Sequence, residues 1–569
     1  MTASNYSVCS QADSIRQRPF TEACVRRSSI LTISAVSCIL FGVAAVRLNS
    51  HFSYAQAAQS PQTATAAPDP PAHLEPINAT IPATIKPADI SSPSLSTHAS
   101  TQIYTAKRGD TIPALARQYL KNTSYLTSSQ LADAIRTVNG NRSANILKPG
   151  EPITIPGILS APITEKTIPV PRDFEVRAIY LTGIMAASDH GLRIIRHWRE
   201  VGGNAVVFDI KDSDGAVTIP FEHPLLGKHQ VYIHDLPKFV HFLHSENMHA
   251  IARIAIFRDE RLVVAHPELA VHSKTTGQPW RENGKLVWTD SSNPVVQDYN
   301  IALAKSVAQS GADEIQFDYV RFPAEGDQKD AAFVFQNEKE SCGDGRLGRP
   351  ADAKQGGTAQ PPARKSPIPK TTAGTPHPLQ RSDVITAFLQ KAYAELHPTG
   401  VLLSLDVFGV MAWQRQVDLS HTGQDIVGMA KYCDVLSPMI YPSHFFGMDN
   451  IEHPGDAPEH FIGESMERFE LITKGSGVVI RPWLQAFHWR TKTYSPEYIK
   501  VQVATAKAKG GIGFLFWNAA NDYSKPYEAM PEMKAANLKE KAKFFRGDEL
   551  PGVTVKASLA PGPAISTRP

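Results

Sequence analysis

The feature that most constrains this chain is an alternation of short apolar runs with amphipathic segments between Glu175 and about Lys543. Eight runs carry it: VRAIYLTG (176–183), NAVVFDIKD (204–212), HAIARIAIF (249–257), DEIQFDYVRFP (313–323), VLLSLDVFG (401–409), VLSPMIYP (435–442), VVIRPWLQAF (478–487) and GIGFLFWNAA (511–520). Helical patterns such as GLRIIRHWREVG, PKFVHFLHSEN and VQDYNIALAKSVAQSG lie between them. Strands that are apolar on both faces belong to a parallel sheet covered by helices. Eight strand–helix units predict an α/β fold, a (β/α)8 TIM barrel, over 172–545. A doubly wound open sheet is the alternative.

The polar residues inside these runs are not scattered. Period-two counting puts Asp209 with Lys211, Gln316 with Asp318, and Ser404 with Asp406 on matching faces. A charge in an apolar strand is costly unless paired, and in a barrel the C-terminal strand ends converge on the rim where active sites form. Asp318 and Asp406 end neighbouring strands, and two facing carboxylates are the minimum for glycoside hydrolysis. Asp318 is expected to be the nucleophile, kept ionised by a cation such as Arg253. Asp406, beside Val407 and Phe408, is expected to have its pKa raised by desolvation and to act as general acid/base. Adjacent strands favour the separation of about 5–5.5 Å that goes with retention. Asp209, Asp212, Arg253, Arg321, Tyr441, Gln485, Trp517 and Asn518 are the substrate-binding candidates, with Trp413 and Trp483 as further stacking rings. Asp209 with Arg253 reads equally well as a buried ion pair.

These runs resemble a family of glycoside-hydrolase barrels, long known as a bacterial domain of unknown function and related to the α-amylase-like clan. RAIYLTG, NAVVFDIKD, ADEIQFDYVRFP, LSLDVFG and SPMIYPSHF carry the resemblance, which covers Val176 to Ala520 apart from an insertion. It implies a glycosidase. In α-amylase-like barrels an aspartate after the fourth strand is the nucleophile, which implies that role for Asp318. Their acid after the fifth strand is a glutamate, where this chain has Asp406. GADEIQFDYV is also similar to the fourth-strand motif of chitinase-like barrels, but their terminal catalytic glutamate falls on Val320. That disfavours substrate-assisted chemistry. A non-catalytic carbohydrate-binding scaffold is the rival reading. No GxxxxGK[ST], HExxH or GxSxG run is present, and the histidines between 223 and 249 lack metal spacing, so no metal or cofactor is expected.

Ahead of the barrel, residues 102–157 read as strand, helix, helix, strand. YTAKRGDT, ALARQY and ILKPGEPITIP make this unit resemble a LysM domain, a βααβ module. The resemblance implies binding of N-acetylglucosamine-containing glycan such as peptidoglycan, with Gly109, Asp110, Thr111 and Ile112 at the sugar. Asp110 or Thr111 reads equally as a helix cap. Three Pro-rich stretches are expected to stay unfolded: a linker over 51–101, an insertion over about 326–378 and a tail over 546–569.

Charge is informative by its location. The net +3 sits in residues 1–50, where five arginines face Asp13 and Glu22, and the remainder is balanced. A bulk without net charge has no electrostatic drive toward nucleic acid, so no nucleic-acid partner is expected. Ser28 to Val46 is uncharged and follows Arg26-Arg27; as a helix it spans about 28 Å, near the thickness of a bilayer core. Residues 1–50 are therefore expected to be a cytoplasmic N-terminus with a transmembrane signal anchor, leaving the bulk beyond the inner membrane of a bacterial envelope. The other reading is a signal peptide cut near Ser53-Tyr54-Ala55 or Ala55-Gln56-Ala57, giving a secreted protein.

Overall fold

A computed structural model describes residues 100–143, 145–336 and 378–536. The expected membrane anchor, the linker up to residue 99, residues 337–377 of the insertion and the tail lie outside the described residues. Among the described residues no helix is long and apolar enough to cross a membrane.

Eight parallel strands close into a barrel. They are Val176–Leu181, Ala205–Lys211, His249–Ala255, Glu314–Asp318, Leu402–Phe408, Val435–Ile440, a seventh in two pieces, and Gly513–Trp517. Each strand bonds the next in chain order, and the eighth returns to the first through Gly513↔Val176 and Phe516↔Ile179. Closure excludes the open sheet. The seventh strand is split into Val479–Ile480 and Trp483–Gln485 around Arg481 and Pro482, because Pro482 has no N–H for the ladder.

The outer helices start where the sequence supplies caps. Ser188 caps Asp189–Val201, Asp235 caps Leu236–Ser245, Asn293 caps Pro294–Gln309 and Ser495 caps Pro496–Ala508. Each hydroxyl, carboxylate or amide oxygen accepts a backbone N–H that the first turn leaves unpaired. Gly202 ends the first of these helices at φ 114°, a left-handed conformation that suits glycine.

Alternate residues of the strands pack inward and outward. Val176, Ala178, Ala205, Val207, Ile251 and Leu515 form an interior cluster, while Ile179, Leu181, Val206 and Phe208 join the larger core beneath the helices. The lower interior is polar and closed. Arg481 Nη1 donates to both oxygens of Glu314 at 3.0 and 2.9 Å, and His249 Nε2 lies 3.0 Å from Glu314 Oε2. Burial alone would raise Glu314, but Arg481 and His249 overcome it and hold the carboxyl at about 2. This plug leaves the upper end for the site.

One register detail departs from period-two counting. Asp209 pairs with Arg253, but Lys211 pairs with Ile254, so a bulge at Ile210 separates the two side chains expected on one face. Asp209 stays inside. Lys211 reaches Asp259 at 2.8 Å and Asn300, on the outer helix Pro294–Gln309, at 2.8 Å.

The small N-terminal unit has βααβ order. Strands Ser100–Thr105 and Pro152–Ile158 pair antiparallel, and helices Ile112–Tyr119 and Ser128–Val138 lie between them. Ile112, Leu115, Leu131, Ile135, Ile153 and Ile155 make its own core. Thr127 and Ser129 donate to Asp189, and Lys238 Nζ donates to the Leu120 carbonyl at 3.0 Å. Asp189 and Lys238 lie in the first turns of their helices, so these contacts fall near the rim of the barrel. Residues 326–336, read from sequence as part of the insertion, are folded against the rim: Ala331–Ala332 pairs antiparallel with His272–Ser273.

Candidate active site

Four residues from four strands form a charged group at the upper end of the interior. Arg253, on the third strand, donates from Nε and Nη2 to Asp318 Oδ2 at 3.1 and 2.5 Å, and from Nη1 to Asp209 Oδ1 at 2.5 Å. Tyr180, at the inward end of the first strand, donates its hydroxyl to the other oxygen of Asp209. Burial pushes Asp209 up to about 7, helped by the charge of Asp212 and opposed by Arg253 and Tyr180. Asp318 Oδ1 accepts from the N–H of Tyr319 at 2.6 Å. Tyr319 sits at φ 52°, an uncommon conformation for a bulky residue, so the chain turns sharply as the fourth strand ends. The Asp318 side chain keeps 10% exposure where that of Asp209 keeps none, which makes Asp318 the more accessible acid of the pair.

Asp406 stands one strand away. Phe317 pairs with Leu405, so Asp318 and Asp406 fall at the next level of adjacent strands. Neighbouring strands run about 4.8 Å apart. Asp406 is 1% exposed, and Trp483 on the seventh strand donates its indole N–H to Asp406 Oδ1 at 2.7 Å. Burial raises the Asp406 carboxyl well above its ordinary range, and the charge of Asp318 adds to this against Arg253 and Trp483. Tyr441 is pushed up by burial and by the charges of Asp406 and Asp318, and it packs in the interior cluster with Tyr180 and Trp483. One ion-paired carboxylate and one carboxyl whose pKa burial raises, on adjacent strands, suit attack and proton transfer at a glycosidic bond.

A family model described as "Putative glycosyl hydrolase domain" (DUF4015) matches residues 178–523, more than half of the chain. The chain belongs to this glycosyl hydrolase family. Among solved structures, it is similar to a hypothetical protein from Ruminiclostridium thermocellum ATCC 27405 at 30% identity, over 40% of this chain and 97% of that one, with a TM-score of 0.30. The PgaB (BpsB) glycoside hydrolase domain from Bordetella bronchiseptica aligns at 12% identity over 63% of this chain and 99% of its own, TM-score 0.42. The spore cortex-lytic enzyme SleL of Bacillus megaterium QM B1551 aligns at 13% identity over 75% and 85%, TM-score 0.34. No curated protein matches the sequence.

Within this glycosyl hydrolase barrel the other residues expected at the substrate do not all converge on the charged group. Trp517 is half-buried, stacks on Tyr180 at 4.1 Å between centroids, and has the Arg253 guanidinium 5.3 Å from its ring. It joins Tyr441 at the charged group. Gln485 and Asn518 brace loops instead. Gln485 donates to the carbonyls of Phe487 and Trp489 and accepts from the N–H of Ser443, and Asn518 donates to the carbonyls of Ala486 and Asp522. Arg321 is buried with its guanidinium between Trp288 and Phe408, at 4.6 and 4.5 Å. Asp212 lies at the end of its strand and accepts from the N–H of Ser213. Trp413 carries Arg468 over its ring at 4.9 Å and packs on Phe445, whereas Trp483 serves Asp406 through its nitrogen.

Tyr180 was missed as a site residue. Its signal was present, since Val176, Ala178 and Tyr180 alternate onto the interior face. In the small unit, Gly109 takes φ 90°, Asp110 accepts from Lys107 N–H and Tyr104 hydroxyl at 2.7 Å each, and Thr111 caps the helix. The Ile112 side chain is fully buried in that unit's core.

Proposed function

We propose that this protein is a retaining glycosidase of a bacterial envelope polysaccharide, held at the wall by its LysM-like unit. The observation that carries the catalytic part is the pairing of an Arg253-bound Asp318 with a buried Asp406, held by the Trp483 indole, at the same level of the next strand. Asp318 attacks the anomeric carbon. Asp406 gives its proton to the leaving oxygen, and the Asp318–sugar ester forms as the glycosidic bond breaks. Asp406, now ionised, takes a proton from water, whose oxygen attacks the same carbon and releases Asp318 with net retention. Asp406 Oδ1 is occupied by Trp483, which leaves Oδ2 to carry the proton.

Tyr441, Trp517 and Asp212 supply stacking and polar contacts to the sugar, and Asp209 shares Arg253 with the nucleophile. The resemblance of 102–157 to LysM supports peptidoglycan as the anchoring glycan, with the Gly109–Ile112 turn at the sugar. The contacts of this unit with Asp189 and Lys238 support presentation of that glycan near the rim. The uncharged segment 28–46 supports attachment to the inner membrane with the barrel outside it.

The test is to incubate the purified chain with peptidoglycan and other defined bacterial glycans and follow product anomers by proton NMR. The expected result is sugar release with retention, abolished by Asp318→Asn while wall binding persists. Inversion would remove the mechanism. Release of nothing by wild-type protein across the panel would favour a non-catalytic scaffold.

A further inference from the structure

An aromatic ridge leads away from the two acids on the sixth- and seventh-strand side. Tyr441 touches Phe487 edge-on at 5.6 Å, His444 meets Trp489 at 4.9 Å, and Trp489 meets Phe446 at 5.6 Å. At its outer end the Arg490 guanidinium lies 4.1 Å from the Phe446 ring and 4.6 Å from that of Trp489. Phe446 and Trp489 are half-buried and Arg490 is exposed.

Two features show that this corner is held in place. Arg490 sits at φ 47°, and its carbonyl presses so closely on Gly455 that a Cβ there would approach to 2.0 Å. The surrounding loop is pinned by Gln485 on the carbonyl of Trp489 and by Asp456, which accepts from Thr491 and from the N–H of Lys492. Strained backbone that the surroundings enforce is a mark of ligand clamps. Asp456 is spent on the loop, and Arg490 makes no ion pair among the described residues. Its guanidinium rests against two rings and is exposed, so its N–H donors are available to a carboxylate, which a guanidinium can bind in two parallel bonds.

We infer that Phe446, Trp489 and Arg490 form a glycan subsite on the rim, continuous through Phe487 with Tyr441, which binds a carboxylate-bearing sugar of the same chain that is cut at Asp318. The inference rests on the glycosidase reading above and adds an acidic sugar to it. The rings meet the apolar face of a pyranose, and Arg490 holds its carboxylate. Recognition at this distance from the acids requires an extended substrate, so the site works on a polymer rather than a single sugar.

The test separates binding from turnover by using the full chain with Asp318→Asn. Titrations would use peptide-free peptidoglycan strands, whose muramic acid residues carry carboxylates, an oligogalacturonate, the same strands after carboxyl amidation, and a neutral N-acetylglucosamine hexamer. At least one acidic probe is expected to bind, with amidation weakening it about 10-fold or more. Arg490→Gly, which suits the left-handed backbone, should remove that preference. Arg490→Lys should keep part of it, and Trp489→Ala should weaken acidic and neutral probes alike. Equal binding before and after amidation, an Arg490→Gly variant that keeps the preference, or no binding of either acidic probe would overturn the subsite. Carboxylate-dependent binding with a wild-type chain that cleaves nothing would leave the subsite and remove the glycosidase reading.

Discussion

Trp483 spans the barrel interior to reach Asp406: an indole N–H from the seventh strand meets a carboxyl oxygen of the fifth at 2.7 Å. Trp483 is itself 1% exposed, so its ring is a wall of the site and its nitrogen is a positioning group. The bond stabilises the ionised form of Asp406 and partly offsets the rise caused by burial. Trp483→Phe keeps the wall and deletes the donor. The alkaline limb of the kcat–pH profile should therefore move upward, because the acid stays protonated to higher pH. A loss of about 10-fold in kcat should accompany it, as Asp406 is no longer oriented. An unchanged alkaline limb would mean that Asp406 is not the acid.

Asp406 and Asp318 can be told apart by the leaving group. Asp406→Asn should lower kcat by about 10²–10⁴-fold on natural glycosides, whose leaving alkoxide needs a proton. On an aryl glycoside with an acidic phenol the same variant should lose far less in the first step, since the phenolate departs unaided. Asp318→Asn should lose activity on both, because no nucleophile remains. Parallel losses for the two variants on the two substrates would argue against separate roles.

Legibility differed between the frame and the site. All eight strands stood out because strands buried on both faces are continuously apolar, and the level of Asp318 and Asp406 followed from counting along neighbouring runs. Three kinds of detail did not follow. The bulge at Ile210 breaks the alternation, so Lys211 leaves the face of Asp209. Gln485 and Asn518 have the right positions for substrate, but the loops beyond their strands leave carbonyls that need donors, and the amides satisfy those first. Trp483 bonds Asp406 across a closed barrel, a relation between the fifth and seventh strands that no local pattern contains.

The underside of the barrel predicts a pH dependence of stability. His244, on the helix Leu236–Ser245, lies 3.0 Å from Asp313 Oδ2, and Glu165 approaches it from the segment leading into the barrel. Burial would lower His244, but Asp313 and Glu165 outweigh it and raise the imidazole to about 9. A histidine raised from 6.5 to about 9 adds on the order of 3 kcal/mol, fully present below pH 6.5 and lost as pH rises through 9. His244→Gln should therefore cost most at pH 6 and little above pH 10, read by urea unfolding at each pH. A cost that is equal at the two pH values would show that the histidine acts only by packing.

Beneath the site, Arg481 and Glu314 are both fully buried, and Glu314 is ionised at neutral pH because Arg481 faces it. Removing one partner strands the other's charge away from water. Arg481→Met should therefore destabilise the barrel by about 3–5 kcal/mol in urea unfolding, as should Glu314→Leu. The double variant replaces both charges by apolar groups of similar volume, so it should be less destabilised than either single variant. His249, 3.0 Å from Glu314, then loses its acceptor, which sets the residual cost of the double variant. Additive losses in the double variant would show that the two side chains contribute independently. Loss of less than about 1 kcal/mol for Arg481→Met would show that water reaches Glu314 once the guanidinium is gone.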